Sequence, residues 1–316
     1  DALSGMVESF SFTSLAEKIL STEGGAAVQT LSDAGRAVLV RRALEELQDN
    51  VHYYHRHRRS AAFCQMAAQT IDELKSAGLS GQQLAQLAGA CGAESGKLSE
   101  LALIFQGYET LLARSGMDPS DRLELAGARL EEALARHSLP EFLRDRTVFI
   151  DEFDTFNAPK KRLLGAMLAA LPSVTVALCD DGAPLLPGDL SLFSGAKQVA
   201  AQLRQLARKN GAEVAVPQLL RKDLRHRNAP GLAAVAELLE TGSCTADAPA
   251  GEVRLFAAPS REEEARAAAG AIRRLMRQGV RCGKIAVVCR DIAKYRAAVR
   301  YEFRMAEIPL YCDEPT

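Results

Sequence analysis

The stretch TVFIDEFDTFNAP, residues 147–159, restricts the possible folds more than any other part of the chain. Its first four residues, TVFI, are apolar or β-branched and predict a short buried strand. Asn-Ala-Pro near its end is typical of a helix start. Between the two lie Asp151 and Glu152, directly after the strand. The stretch therefore predicts a strand followed by a helix, with two acids at the carboxyl end of the strand.

The same alternation of strand and helix continues downstream. VTVALC is predicted as a second strand, AKQVAAQLRQLARKNG as a helix that ends at Gly211, and AEVAVPQ (212–218) as a further short strand. PGLAAVAELLETG then predicts another helix. Alternation over this length favours an α/β fold with a parallel sheet and helices on both of its faces.

The stretch GSCTADAPAG, residues 242–251, is rich in small residues and predicts a linker. After it the alternation restarts, with strands predicted at 252–258, 284–290 and 308–312 and helices at 260–277 and 292–305. Ser260 and Glu263 have the spacing of a capping box. Because 316 residues exceed one ordinary compact core, we expect two or three folded units.

The region from residue 31 to about 144 has helical periodicity almost throughout and no strand signal. Ser32 or Asp33 is the expected cap of its first helix, and Asp-Pro at 118–119 is a favourable start for its last. Gly78 and Gly116 are expected to follow helix ends. This region is therefore predicted to form an all-helical insertion.

The first residues resemble the β–α pattern seen later. MVESFSFTSLAEKIL, residues 6–20, predicts a short strand, a turn and a helix. Thr13 or Ser14 is the expected cap, and Glu17 lies three residues after Ser14, which is capping-box spacing. The chain opens with DALSGM and without an initiator Met. We therefore expect it to begin inside a longer protein.

Asp151 and Glu152 are the main catalytic candidates. Ligands of parallel α/β sheets bind at the carboxyl ends of the strands. In P-loop nucleotidases an acid at this place orients the magnesium ion of the nucleotide, and an adjacent glutamate accepts a proton from the attacking water. Asp180 follows the neighbouring strand. Termination of the strands by turn-forming acids is the alternative for all three residues.

A nucleotidase also needs a glycine-rich loop with Lys to hold the phosphates. The nearest match is GAESGKLS, residues 92–99, but its glycine spacing is one residue short and a helical segment precedes it. We therefore predict a polar loop that leads into the next helix. The sequence contains no phosphate-binding loop of the required form.

The stretch HYYHRHRR, residues 52–59, is called the aromatic–basic segment below. Rings can stack on bases and cations can meet phosphates, so the combination suits single-stranded DNA. A solvated connection between helices is the alternative. The candidate DNA-contacting residues are His52, Tyr53, Tyr54, His55, Arg56, Arg58 and Arg59.

Charge and cysteine content narrow the function classes. The chain has 39 basic and 40 acidic side chains, whereas dedicated nucleic-acid-binding proteins are usually more basic, which argues against strong DNA binding by this part alone. The seven cysteines form no C-x-x-C pair, so neither zinc nor an iron–sulfur cluster is expected within the chain. Reduced thiols and the lack of a long apolar run predict a cytoplasmic protein without membrane contact.

Four segments, in the same order along the chain, resemble segments of superfamily 1 helicases of the UvrD class. Within that class the resemblance is to the B subunits of AddAB-type helicase–nucleases. IDEFDTFN resembles motif II without its glutamine, and MDPSDRLELA resembles the segment ahead of it. ESFSFTSLAEKIL is similar to the T-F-H-S segment. The region from 242 to 315 resembles the opening of the second motor domain, and SLFSGAKQVAAQLRQLA stands where a working motor has motif III.

The resemblance implies a RecA-like parallel sheet core, domain 1A, from residues 1–24 and 145–245. A helical insertion called 1B would occupy 25–144, and the start of a second RecA-like domain, 2A, would occupy 252–316. It further implies that the phosphate loop lies upstream and the nuclease, with its 4Fe-4S cluster, downstream. This part alone is then expected to have no ATPase or nuclease activity.

The resemblance also implies functional residues and partners. Mg²⁺ and ATP would be bound by the parent complex, with Asp151 contacting the metal of the nucleotide. Asp180 and Arg225 or Arg227 would sense the nucleotide, while Ser11 and Phe12 would contact the DNA backbone. The expected partners are DNA, single-stranded or at break ends, and an AddA-type subunit in a heterodimer.

Three functions remain open from sequence. The first is a helicase–nuclease subunit that processes double-strand breaks for recombinational repair, with a degenerate motor fold that binds DNA, scans it and assembles with its partner. The second is an ATP-driven superfamily 1 helicase motor whose phosphate loop lies upstream. The third is an α/β module that binds no nucleic acid, which the near-neutral charge allows.

Overall fold

The computed structural model describes residues 7–220, 224–243 and 253–313 and divides into two compact units, residues 1–220 and 221–316. The first unit contains α1 (Phe12–Glu23), α2 (Asp33–Glu46), α3 (Ala61–Ser76), α4 (Gly81–Ala88), α5 (Ser95–Ser115), α6 (Pro119–Ala135), β1 (Thr147–Ile150), α7 (Ala158–Ala170), β2 (Ser173–Val176) and α8 (Ser194–Lys209). The second contains α9 (Pro230–Thr241), α10 (Arg261–Arg277) and α11 (Ile292–Met305). The chain is thus mostly helical with a small parallel sheet, which is consistent with the predicted α/β class.

The sheet consists of β1 and β2, which pair in parallel with Thr147 opposite Ser173 and Ile150 opposite Val176. Helix α7 connects the two strands, as the β–α–β pattern predicts. Its residues Leu163 and Leu164 are fully buried. They belong to a core that α1, α6, α7, α8 and the sheet share.

A separate core lies within the predicted helical block. Helices α2, α3, α4 and α5 bury their apolar stripes against one another, with Phe105, Tyr108 and Ile71 at the centre. The prediction of an all-helical region is confirmed for helices α2 to α6. Helix α6, the last of the block, packs mainly on α1 and α7 and so lies against the sheet layer.

The start of the first helix differs from the prediction. Helix α1 is capped by Ser11, which forms a capping box with Ser14, and Glu17 takes no part in the cap. The Glu17 carboxylate instead pairs with Arg122 of α6, a contact that no local pattern reveals. Residues 7–11 precede the helix without forming a strand, contrary to the prediction. The caps Ser32 and Asp118 were predicted correctly.

Four predicted strands are absent among the described residues, namely 212–218, 253–258, 284–290 and 308–312. Their apolar side chains are largely exposed, for example Val216, Leu255, Val288 and Tyr311. A strand is stable only when a neighbour accepts and donates its backbone hydrogen bonds. These segments have the side-chain pattern of strands but no such neighbour among the described residues.

The second unit has a small core of its own, in which α10 and α11 pack through Ala269, Phe303 and neighbouring apolar residues. Both helices begin and end close to the predicted residues. The Ser260 hydroxyl accepts the Glu263 N–H at 3.3 Å, which is one half of the predicted capping box. The predicted linker at 242–251 lies mostly outside the described residues.

A buried polar network joins three helices of the first unit. The Tyr108 hydroxyl of α5 donates to the Asp118 carboxylate at 2.6 Å, and Lys75 Nζ of α3 donates to Asp118 at 3.0 Å. Lys75 also contacts Asp121 in the first turn of α6. Burial raises the pKa of Tyr108 well above its ordinary value, and the bond to Asp118 raises it further.

The network predicts a loss of stability at alkaline pH. Burial lowers the pKa of Lys75, but hydrogen bonds and charges of Asp121 and Asp118 raise it by more. Both Tyr108 and Lys75 therefore keep their protons longer in the folded than in the unfolded state. Their stabilisation is complete below the unfolded pKa of about 10 and is lost as the pH rises beyond it.

Between about pH 10 and 12, Tyr108→Phe should reduce the dependence of the unfolding free energy on pH by about 1.4 kcal/mol per pH unit, the contribution of one titrating group. Urea unfolding at several pH values measures this dependence. Tyr53→Phe is the control, because Tyr53 is exposed. The same slope in Tyr108→Phe and the unaltered chain would contradict the assignment.

Candidate functional site at the carboxyl edge of the sheet

The predicted acidic residues lie where two parallel strands end. Asp151 and Glu152 follow β1, and Asp180 lies shortly after the end of β2. Because the strands are parallel, their carboxyl ends meet at one edge of the sheet. The Ala177 N–H donates to the Ile150 carbonyl at 2.9 Å and extends the pairing to this edge. Asp151 and Glu152 therefore lie at this edge and line the cleft described below, whereas Asp180, four residues beyond β2, does not line it.

The acidic pair is exposed at the point where the chain leaves the sheet. Asp151 Oδ1 accepts the N–H of Glu152 at 2.9 Å. Glu152 has φ of 64°, in the left-handed region that residues with a side chain rarely adopt, at a cost of about 1 kcal/mol or more. Among the described residues no cation pairs with either carboxylate. Both groups remain accessible to a ligand.

A cleft of about 730 Å³ borders the acidic pair. It is lined by residues 7–12, 142–143 and 145–153 together with Leu15 and Met167. The chain ahead of α1 and the whole of β1 therefore face the same space. Phe149 of β1 is exposed there.

Phe12 joins the helix start to the acidic loop. Its ring meets that of Phe153 edge-on at 5.0 Å and that of Phe156 at 6.0 Å. The Lys160 ammonium lies 5.6 Å from the Phe12 ring and 5.4 Å from the Phe153 ring, a cation–π arrangement that the sequence did not reveal. Phe12 is only 7% exposed, so its ring packs in the core, while its neighbour Ser11 caps α1 from an exposed position.

The acids after β2 form turns. Asp180 accepts the Gly182 N–H at 3.0 Å, and Asp181 accepts the Ala183 N–H at 2.8 Å. Asp181 also pairs with Lys197 of α8 at 3.1 Å. The bond to Asp181 raises the pKa of Lys197, and Asp189 contacts the same ammonium group. Lys197 thus links the turn after β2 to α8. The sequence does not predict this contact, because Asp181 and Lys197 come together only in the folded chain.

The other predicted nucleotide-sensing residues lie in the second unit. Arg225 and Arg227 are exposed in the segment ahead of α9. Their sensing role stays a prediction.

GAESGKLS leads from α4 into α5, so a helix precedes it and the segment has no phosphate-loop geometry. Its first three residues form a 3-10 turn, Gly92–Glu94, and residues 95–99 belong to α5, so the predicted polar loop is wrong for most of the segment. Its lysine, Lys97, pairs with Glu94 at 3.0 Å.

The aromatic–basic segment connects α2 to α3 and contains a short 3-10 turn, His55–His57. Tyr54 stacks on Phe63 of α3 with the ring centres 5.3 Å apart, and His57 packs on the same ring. Arg58 is half-buried and contacts the His55 ring at 2.9 Å. The exposed members of the segment are His52, Tyr53, His55, Arg56, His57 and Arg59.

Within residues 7–220, 224–243 and 253–313 no group of three or more His, Cys, Asp or Glu is arranged to hold a metal ion. In the same ranges no helix combines the length and the apolar character that a membrane crossing requires.

The chain is similar along most of its length to one protein family and to several curated proteins. The family model described as "ADDB, N-terminal" matches residues 3–236. The chain is 33% identical over 322 residues to the B subunit of the ATP-dependent helicase/deoxyribonuclease of Desulforudis audaxviator, covering 98% of this chain and 27% of that protein. The proteins of the same name from Symbiobacterium thermophilum and Moorella thermoacetica are 33% and 32% identical, over 96% and 97% of this chain.

The chain spans about a quarter of the length of these curated relatives, 27% in each of the three. The family model covers well over half of the 316 residues and includes the sheet, the acidic pair and the aromatic–basic segment. The chain therefore belongs to the ADDB N-terminal family.

Proposed function

We propose that this chain is part of a helicase–nuclease B subunit that processes DNA double-strand breaks for recombinational repair. The observation that carries the proposal is similarity along nearly the whole chain to proteins named as the B subunit of the ATP-dependent helicase/deoxyribonuclease. In this proposal the motor fold is degenerate and serves to bind DNA, scan it and assemble with a partner. An AddA-type subunit drives translocation.

The proposed domain arrangement follows the resemblance. Residues 1–24 and 145–245 form the RecA-like core 1A, residues 25–144 form the insertion 1B, and residues 252–316 begin domain 2A. The parallel pairing of β1 with β2 and the acids at their carboxyl edge support a RecA-like core. The separate core of α2 to α5 supports an insertion.

Mg²⁺ and ATP belong to the parent complex in this proposal. Asp151 suits a nucleotide-bound magnesium ion, because its carboxylate is exposed and Oδ1 alone is engaged, by the Glu152 amide. When bound, the metal neutralises phosphate charge. Only in an active motor, the second candidate below, would Glu152 accept a proton from water. The phosphate cradle and the 4Fe-4S nuclease domain are assigned to other parts of the longer protein.

An active helicase motor is the second candidate, and the intact, exposed pair of Asp151 and Glu152 favours it. DNA-stimulated ATP hydrolysis by the longer protein without its partner separates the two functions. Our proposal expects no stimulated hydrolysis under that condition, whereas an active motor would hydrolyse ATP by itself.

Asp151→Ala and Glu152→Gln in the assembled complex are expected to leave DNA unwinding within about twofold of the unaltered complex, since the degenerate motor supplies no chemistry in this proposal. An active motor would lose about 100-fold or more in its own hydrolysis when a proton acceptor is removed. Asp154→Asn is the control, because Asp154 is exposed in the same loop. A selective loss in the first two variants would establish the active motor instead.

Salt-dependent binding of single-stranded DNA to the longer protein tests whether it acts on nucleic acid at all. Phosphate contacts release counterions, so affinity should fall steeply as salt rises. Absence of binding at low salt would favour a module that binds no nucleic acid.

A further inference from the structure

The aromatic–basic segment is held by one buried carboxylate of α5. Glu100, only 6% exposed, accepts three successive backbone N–H groups. His52 N–H donates at 2.7 Å, Tyr53 N–H at 2.9 and 3.0 Å to the two oxygens, and Tyr54 N–H at 3.2 Å. A carboxylate that accepts several backbone N–H groups fixes the dihedral angles between them. The backbone at the start of the segment is therefore anchored to α5.

The Tyr53 ring packs against Gly96 of α5, the helix that also carries Glu100. A Cβ added to Gly96 would lie 2.9 Å from Tyr53 Cε2, closer than such atoms approach, so the ring occupies the place that a side chain would take. Tyr53 is nevertheless 57% exposed. Lys97, the next residue along α5, is half-exposed and pairs with Glu94 at 3.0 Å.

The side chains near Tyr53 are of two kinds: some attach the segment to α3, and others are exposed to solvent. Tyr54 stacks on Phe63 and is half-buried, so it attaches the segment to α3. Arg56 and Arg59 are exposed on the same segment. No acidic residue occurs between residues 51 and 59, so the exposed surface of the segment is cationic.

We infer that Glu100 and Gly96 are positioning residues for a nucleobase contact, in which the Tyr53 ring stacks on a base of single-stranded DNA and the exposed Arg56 and Arg59 of the same segment meet its phosphates. The inference rests on the proposed function and names the site within it. An aromatic ring held in place stacks on a base with less loss of conformational entropy than a mobile one. The segment GAESGKLS lacks the form of a phosphate-binding loop. In this inference its glycine Gly96 supports a binding site for single-stranded DNA.

Fluorescence anisotropy with a labelled oligothymidylate of about 15 nucleotides, at low salt, tests the inference on the whole chain. Tyr53→Ala should weaken binding about 10-fold, the usual effect of one lost base stack. An abasic strand of equal length should bind the unaltered chain about 10-fold more weakly than the oligothymidylate.

Gly96→Ala should also weaken binding, about 3- to 10-fold, because the new methyl group displaces the Tyr53 ring. Gly195→Ala is the matched control, since Gly195 is likewise the second residue of its helix, α8, and has open space around it. Alanine favours both helices, so folding is retained. In the double variant, Tyr53→Ala with Gly96→Ala, binding should be no weaker than in Tyr53→Ala alone.

Glu100→Gln should weaken binding about 10-fold and speed hydrogen exchange of the amides of residues 52–54. Glu109→Gln, on the same helix and remote from the segment, is its control.

Absence of binding by the unaltered chain would overturn this inference, and absence of binding by the longer protein as well would overturn the proposed function. Binding that Tyr53→Ala or Gly96→Ala leaves unchanged, or an abasic strand that binds equally well, would overturn the inference alone.

Discussion

Asp118→Ala is expected to destabilise the first unit by about 3–5 kcal/mol, the usual effect of removing one partner from a buried ion pair. Asp118 is 1% exposed and accepts from both Tyr108 and Lys75. Its loss leaves the Tyr108 hydroxyl without its acceptor and the Lys75 ammonium with Asp121 as its remaining carboxylate. The same residue is the N-cap of α6, so the start of that helix weakens as well.

Urea unfolding followed by circular dichroism measures the effect. Asp118→Asn keeps an oxygen acceptor and removes the charge, so a smaller loss of about 1–3 kcal/mol is expected. Asp33→Ala is the control for an exposed carboxylate, because the Asp33 side chain is 94% exposed although it pairs with Arg36. In Asp33→Ala the free energy of unfolding should change by less than about 1 kcal/mol. Equal effects of Asp118→Ala and Asp33→Ala would contradict the structural importance of the network.

Replacement of Arg56, Arg58 and Arg59 by Ala together is expected to weaken binding of single-stranded DNA about 100-fold at low salt. Each phosphate neutralised on a single strand contributes about 0.7 to the slope of log affinity against log salt. Loss of three such contacts should therefore reduce that slope by about 2. Affinities measured by anisotropy over a range of salt concentrations give the slope.

The double variant Arg41→Ala with Arg42→Ala is the control for nonspecific loss of charge. These arginines are exposed on α2, but each pairs with a glutamate one turn later, Glu45 and Glu46, at 3.1 Å. Little positive charge is then left for phosphate, and the slope should change by less than about 0.5. A triple variant whose slope equals that of the unaltered chain would show that the aromatic–basic segment does not meet the phosphates.

The two DNA-binding experiments address different parts of one surface. The arginine variants change the electrostatic, salt-dependent part of the affinity. Tyr53→Ala and Gly96→Ala change stacking, which depends little on salt. If DNA binds as proposed, the first set alters the salt slope and the second lowers affinity at constant slope.

Local features of this chain were predictable because they depend on residues close in sequence. The helix limits of α7 and α11, the caps at Ser32 and Asp118, and the strand TVFI all follow from periodicity and capping. The position of the acidic pair at the carboxyl edge also followed, because it depends only on strand direction. Order and spacing of motifs were sufficient to indicate the family.

The tertiary structure determined those features that depend on contacts between residues far apart in the sequence. Strand-like segments such as 284–290 do not pair, because a strand requires a neighbour that its own sequence does not specify. Glu17 pairs with Arg122, more than a hundred residues away, and does not form the predicted capping box. Likewise only the fold brings Glu100 beneath the backbone of residues 52–54 and Gly96 beneath Tyr53. Sequence determined which segments are helices and where charge and aromatic rings occur, whereas long-range packing determined which of them are buried, paired or presented to solvent.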